Sequence, residues 1–208
     1  MLMSPTTGVL RVVDRIPGLE LVGQRANDRG RVSVEPRVLR FTRLPHVQAW
    51  DSLIETGSGE GYTFDVRDAA GAVRARVRVT IARRVVTAAM RESALAAVLK
   101  HFDDPGRERM VDKAESIRLE RATPSADSLP PYGGFHVSPD RTLWIVDCRA
   151  PTDAGGAATA FRQDGAIVGR LTWSGSGLPV AFGADRVVRK ETDDDGVVSL
   201  AVYRLQRR

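Results

Sequence analysis

The chain is poor in the residues that staple or ligate. A single cysteine, Cys148, in 208 residues excludes an internal disulfide and any thiolate-based zinc site. It stands in the apolar run LWIVDC, where a thiol reads as a small buried hydrophobe. Lysine is almost missing. Of 31 basic residues only Lys100, Lys113 and Lys190 are lysines, and the arginines that make up the rest are scattered through every segment. Aromatic residues are also few, at 6%. A nucleic-acid footprint would gather its basic residues on one face and interleave them with aromatics, so no nucleic-acid partner is expected. The net charge of +5 reads instead as an arginine-rich coding bias. No apolar run approaches the ~18 residues of a membrane helix, because IARRVV and ALAAVL are cut short by charge. MLMSPTTGVLRVVD has neither a basic start nor a small-residue cleavage site. As it stands the chain therefore reads as cytoplasmic, and as extracytoplasmic if a longer precursor exists. There is no G-x-S-x-G elbow and no H-E-x-x-H, and no catalytic residue, metal or cofactor is assigned.

Short strands and turn chemistry are what the chain does have. SLIET, YTFDV and AVRARVRV follow one another between residues 52 and 79, with GSGEG and DAAG as turns. The last of them alternates apolar residues with arginine, which means one buried and one wet face. A second meander runs from Gly134 to Trp173 through FHV, TLWIVDC, AATAF and AIVGRLTW, and a third through LPVAF, RVVRKE and VVSLAVYRL. Gly71 set over Gly165 places Val66 on Ala160, Val73 on Ile167, Arg76 on Arg170 and Val77 on Leu171 without a gap. One unit is used twice. The leading strands near Phe135 and Val180 stand about 45 residues apart, the period of a four-stranded propeller blade. Trp50, Trp144 and Trp173 fall in strands and read as core.

Residues 86–122 break the pattern. TAAMRESALAAVLKHF carries Met90, Ala94, Val98 and Phe102 at helical spacing. Asp104 and Pro105 open a second helix whose stripe is Met110, Ala114 and Ile117. At the N-terminus VLRVVDRIPG reads as one strand, and GQRANDRGRVSV as a turn and a strand.

On the motifs VRDAAG and FRQDG, the strand DRTLWIVD, the LPPY stretch and the ending VYRL, residues 38–208, extending to 8–208, resemble the C-terminal half of bacterial six-bladed β-propeller proteins of the NHL-like type. A subgroup of these carries a charged helical pair between two late blades. The resemblance implies a mainly β fold: a single partial β-propeller domain, 1–208, of about three four-stranded antiparallel blades, with the two-helix insertion within it. Arg162 stands where VRDAAG has Asp68, and about twice as many blades would complete the fold. A ring closes with about four to eight blades. The chain is therefore expected to be a fragment of a longer propeller, or else a homodimer whose two copies close the ring.

Function is read from the blade ends. Loops at the start of each leading strand line the mouth of a propeller's channel. The ligand-binding residues expected there are His46, Tyr132, His136 and Arg149, for an unknown small molecule or protein. A His-carboxylate metal site would need His46 and His136 to converge with Asp147 or Glu55. TGSGEGY at 56–62 lacks the following helix of a phosphate loop and reads as a hairpin turn, and TDDDGVV lacks the spacing and distal Glu of a calcium loop. His101, near the end of the first helix, suits the helix dipole. The alternative is a piece of a propeller enzyme, lactonase-like or a lyase, with a metal at the channel mouth. The helical insert, with Met90, Leu95, Val98 and Leu99, is a weaker candidate for docking a partner.

Overall fold

A computed structural model describes residues 2–3, 10–28, 30–100, 102, 113–193 and 195–206. The chain is mainly β and every strand pair is antiparallel. β1 (Leu2–Met3) pairs with β2 (Leu10–Arg11), and β3 (Leu21–Asp28) with β4 (Arg31–Val38). β5 (His46–Trp50), β6 (Leu53–Gly57), β7 (Thr63–Asp68) and β8 (Val73–Arg78) form a four-stranded meander, the first sheet. After the helices, β9 (Tyr132–Val137), β10 (Leu143–Asp147), β11 (Gly155–Phe161) and β12 (Ile167–Ser174) form the second. β13 (Leu178–Phe182), β14 (Arg186–Thr192) and β15 (Val198–Arg204) form the third, which has three strands where four were expected.

The repeat seen in sequence holds down to the register. Val66 pairs Ala75 and Arg67 pairs Val73, with a bulge between them; Ala160 pairs Gly169 and Phe161 pairs Ile167, with the bulge in the corresponding place. In each turn the glycine is left-handed, Gly71 at φ 88° and Gly165 at φ 85°, a conformation that costs a side-chain-bearing residue about 1 kcal/mol or more. The glycine N–H donates to the carbonyl of Asp68 or Arg162, and the side chains of Asp68 and Asp164 accept from the N–H of Ala72 and Ala166. Arg162 in place of Asp68 leaves the turn intact because the backbone bonds remain and Asp164, two residues on, supplies the side-chain acceptor for the Ala166 N–H.

Alternation along the strands makes two interfaces from three sheets. Trp50, Phe64, Val66 and Val77 of the first sheet pack on Phe135, Leu143, Ile145 and Phe161 of the second. The opposite face of the second sheet offers Val146, Ala158, Trp144 and Leu171 to Phe182 and Val187 of the third. Trp144 stacks on Phe182 with ring centroids 4.7 Å apart. Of the three tryptophans, Trp50 is fully buried, while Trp144 and Trp173 are half-buried at the second interface. β9 lies beside both β5 and β13, so the leading strands of the three sheets are neighbours. At the far end of β5, the Trp50 indole N–H donates to the carbonyl of Arg141 and Asp51 pairs with Arg141 at 3.3 Å, tying the first turns of two sheets together.

Three expectations need correction. Among its described residues, VLRVVDRIPG is strand only at Leu10–Arg11. Beyond it the segment lies along the first sheet, held by Asp14, which accepts from Thr56 and pairs with Arg67 at 3.0 Å. GQRAND is strand rather than turn, because the reversal is made at Gly30, φ 83°, two residues beyond β3. The helical stripe of the second helix is also different. α1 (Ala88–Lys100) is capped by Thr87, whose hydroxyl accepts from the Met90 N–H, and Met90, Ala94 and Val98 are half-buried on it. α2 spans Lys113–Ala122 and buries Ser116 and Leu119, not Ala114, because Glu120 on the same side pairs with Arg37 at 3.3 Å and Arg40 at 3.1 Å. Those partners turn α2 toward the β3–β4 hairpin. His101, Asp104, Pro105 and Met110 lie outside the described residues.

Candidate binding site at the start of the leading strands

Tyr132 opens β9 and is fully buried although its hydroxyl is polar. The hydroxyl is held by the glycine-rich turn after β6: the N–H of Gly59 donates to it at 2.7 Å. That turn is followed by a strand, as a hairpin requires, and Gly59 at φ 77° brings its backbone so close to Leu44 that a Cβ would stand 2.8 Å from Leu44 N. His46, the first residue of β5, places its ring edge-on to Tyr132 at 5.5 Å and 4.8 Å from the ring of Phe135. Glu55 faces the same space from β6. A Cβ on Gly57 would lie 2.6 Å from the Tyr132 hydroxyl and 3.5 Å from a Glu55 carboxyl oxygen, so only glycine lets these groups approach.

The polarity of this cluster is unspent. Glu55 is completely buried, neither of its carboxyl oxygens has a hydrogen-bond partner among the described residues, and His46 Nε2 has none either. Burying an unpartnered polar group costs about 1–3 kcal/mol or more, which is seldom retained without a use. Burial, reinforced by the charge of Asp65, pushes the Glu55 carboxyl up to about 9. Burial and then His136 lower the His46 imidazole, and burial lowers His136. The Tyr132 phenol is pushed up to about 12 by burial. At neutral pH the site is therefore a set of uncharged donors and acceptors on an aromatic wall. A pocket of about 420 Å³ meets the cluster only through Gly59 and Pro131 and is otherwise lined by residues such as Phe41, Arg43, Glu60 and Arg83; His46, Glu55 and Tyr132 do not line it.

The expected residues are only partly brought together. His46 and Tyr132 meet. His136 is on β9 but on its other face, against Phe182 at 5.5 Å, because the register shift opposite Val146/Asp147 puts Tyr132 in phase with Phe135, and His136, the next residue, points to the opposite side. Arg149 is engaged elsewhere: its guanidinium donates to the carbonyls of Asp153, Ser176 and Gly177, clamping the loop after β10 to the turn before β13. Asp147 pairs with Arg170 at 2.6 Å. Among the described residues no group of three or more His, Cys, Asp or Glu side chains is placed to hold a metal ion. Cys148 is half-buried and its thiol is pushed up to about 11 by burial, which suits a packing residue rather than a nucleophile. In the sequence Glu55 reads only as a possible carboxylate for a metal site; its place as a charge inside an apolar strand, LIETG, is the signal that marks it as a buried group.

A larger concavity lies elsewhere. A groove of about 1500 Å³ between the second and third sheets is lined by Arg162, Arg170, Arg189, Trp144 and Tyr203. Its arginines are already occupied: Arg170 by Asp147, Arg189 by the carbonyl of Ser174, Arg162 by Asp164. No helix among the described residues is long and apolar enough to cross a membrane. No family model and no curated protein matches the chain.

Proposed function

We propose that the chain is a non-catalytic binding module built from propeller blades of the six-bladed, NHL-like kind, and that it takes up a small, uncharged polar molecule at the start of its leading strands. The observation that carries the reading is the buried cluster of Glu55, His46 and Tyr132, with unpartnered polar atoms, beside a 420 Å³ pocket. The meander order, the shared turn and bulge, and the adjacency of β5, β9 and β13 support a blade arrangement. Groups held neutral by burial suit hydrogen bonding to amide or hydroxyl functions, and the rings of His46, Tyr132 and Phe135 suit an apolar flank. Reading it as a propeller enzyme would call for a metal at these same strand ends, and the ligand set for it does not assemble among the described residues.

Backbone amide NMR during titration with neutral sugars and N-acetyl amino-acid amides tests this. Shifts are expected at Arg43, His46, Gly59, Tyr132 and Phe135, with affinity falling about tenfold in Tyr132→Phe or His46→Ala. Shifts confined to the groove between the second and third sheets, or affinity indifferent to both substitutions, contradict the assignment.

A further inference from the structure

The three sheets end on different kinds of edge. β8 carries Arg74, Arg76 and Arg78 and is bent by the bulge at Val66/Arg67; β12 carries Gly169 and Arg170 and is bent by the bulge at Ala160/Phe161. Charges and bulges are the devices that keep a sheet edge from pairing with another chain. β15 has neither. It pairs with β14 over seven residues without a register shift, has no second strand neighbour among the described residues, and holds no proline, lysine or glycine. Val198, Leu200 and Val202 are 54%, 67% and 63% exposed and alternate along it. Its inner side is stiffened, with Tyr203 donating to Glu191 at 2.6 Å and Arg189 lying 5.0 Å over the Tyr203 ring.

We propose that β15 is an interface for a second copy of this chain, the two β15 strands pairing antiparallel about a two-fold axis at Ala201. That register sets Val198 opposite Arg204, Ser199 opposite Tyr203 and Leu200 opposite Val202. All seven residues pair, and the apolar side chains of both copies share one face, since the side-chain period is two. Charge selects this occupant over an unrelated strand. The strand is preceded by a turn that carries Asp193 and Asp195, and it ends in Arg204, with Arg186 beside it on β14. Antiparallel pairing brings each copy's acidic turn to the other's basic end, while parallel pairing would set like against like. The surface is isologous, as a two-fold dimer requires, and it lies at the opposite edge of the sheet from β13, apart from the proposed ligand site and independent of it.

Sedimentation of the full chain over about 1 to 100 µM tests the pairing. A dimer is expected that weakens with added salt and is lost in Leu200→Lys, whose exposed side chain makes no demand on folding. Asp195→Lys and Arg204→Glu are each expected to weaken it about tenfold, and an equimolar mixture of the two to restore it, because each then faces an opposite charge. In a Cys148→Ala background, Ala201→Cys is expected to form a disulfide-linked dimer on mild oxidation and Val180→Cys, on β13, to stay monomeric. A monomer at every concentration, a dimer indifferent to Leu200→Lys, failure of the mixture to recover, or equal cross-linking through Val180→Cys overturns the proposal.

Discussion

Glu55 is the residue on which the site turns, and its chemistry makes a pH-dependent prediction. Its folded carboxyl titrates at about 9, above the 4.5 of an unfolded chain, so the folded state keeps the proton longer. The stability this contributes is full below pH 4.5 and is lost as pH rises through the window to about 9. Glu55→Gln, which stays neutral, removes that loss. Urea unfolding at pH 5 and pH 8 is expected to show the stability of Glu55→Gln relative to the native chain rising by a few kcal/mol between the two pH values. Equal differences at both would mean the carboxyl is solvated. The sequence offered Glu55 only as a possible carboxylate for a metal site, and His46 at a strand start. It did not show that His136, one residue beyond Phe135, faces the other sheet, because the phase of β9 depends on which residues bury and not on where the strand begins.

At the level of elements the hairpins were legible and the helix packing was not. Turn residues act locally: the glycines at 71 and 165 take the left-handed conformation and fix both register and bulge, so an alignment by eye carried through to hydrogen bonds. α2 depends instead on partners distant in sequence. Its outward stripe gave way to Ser116, Leu119 and Glu120 because Arg37 and Arg40 hold Glu120, and Gln24 donates to Thr123 at 3.1 Å. Glu120→Ala is expected to cost about 1 kcal/mol and to speed amide exchange in β3 and β4 while leaving β9 to β12 unchanged. Unchanged exchange in the hairpin would show that the α2 contacts do not hold it.

For the whole molecule, the composition established an ordinary apolar content, and the alternation and turn spacing established three successive β-meanders. The three strands of the third sheet were legible as LPVAF, RVVRKE and VVSLAVYRL, and it was the four-stranded blade implied by the resemblance that did not hold there among the described residues. The account rests on the three sheets packing in series, with the second between the other two and the leading strands side by side. Aromatic NOESY on the full chain tests this most directly, because few rings are present and the ones concerned each belong to one of the three sheets. Cross-peaks are predicted from His46 to Phe135 and Tyr132, from Phe64 to Phe161, and from Phe182 to Trp144 and His136. Cross-peaks from Phe182 to Phe64 or Trp50, or silence between His46 and Phe135, would contradict it.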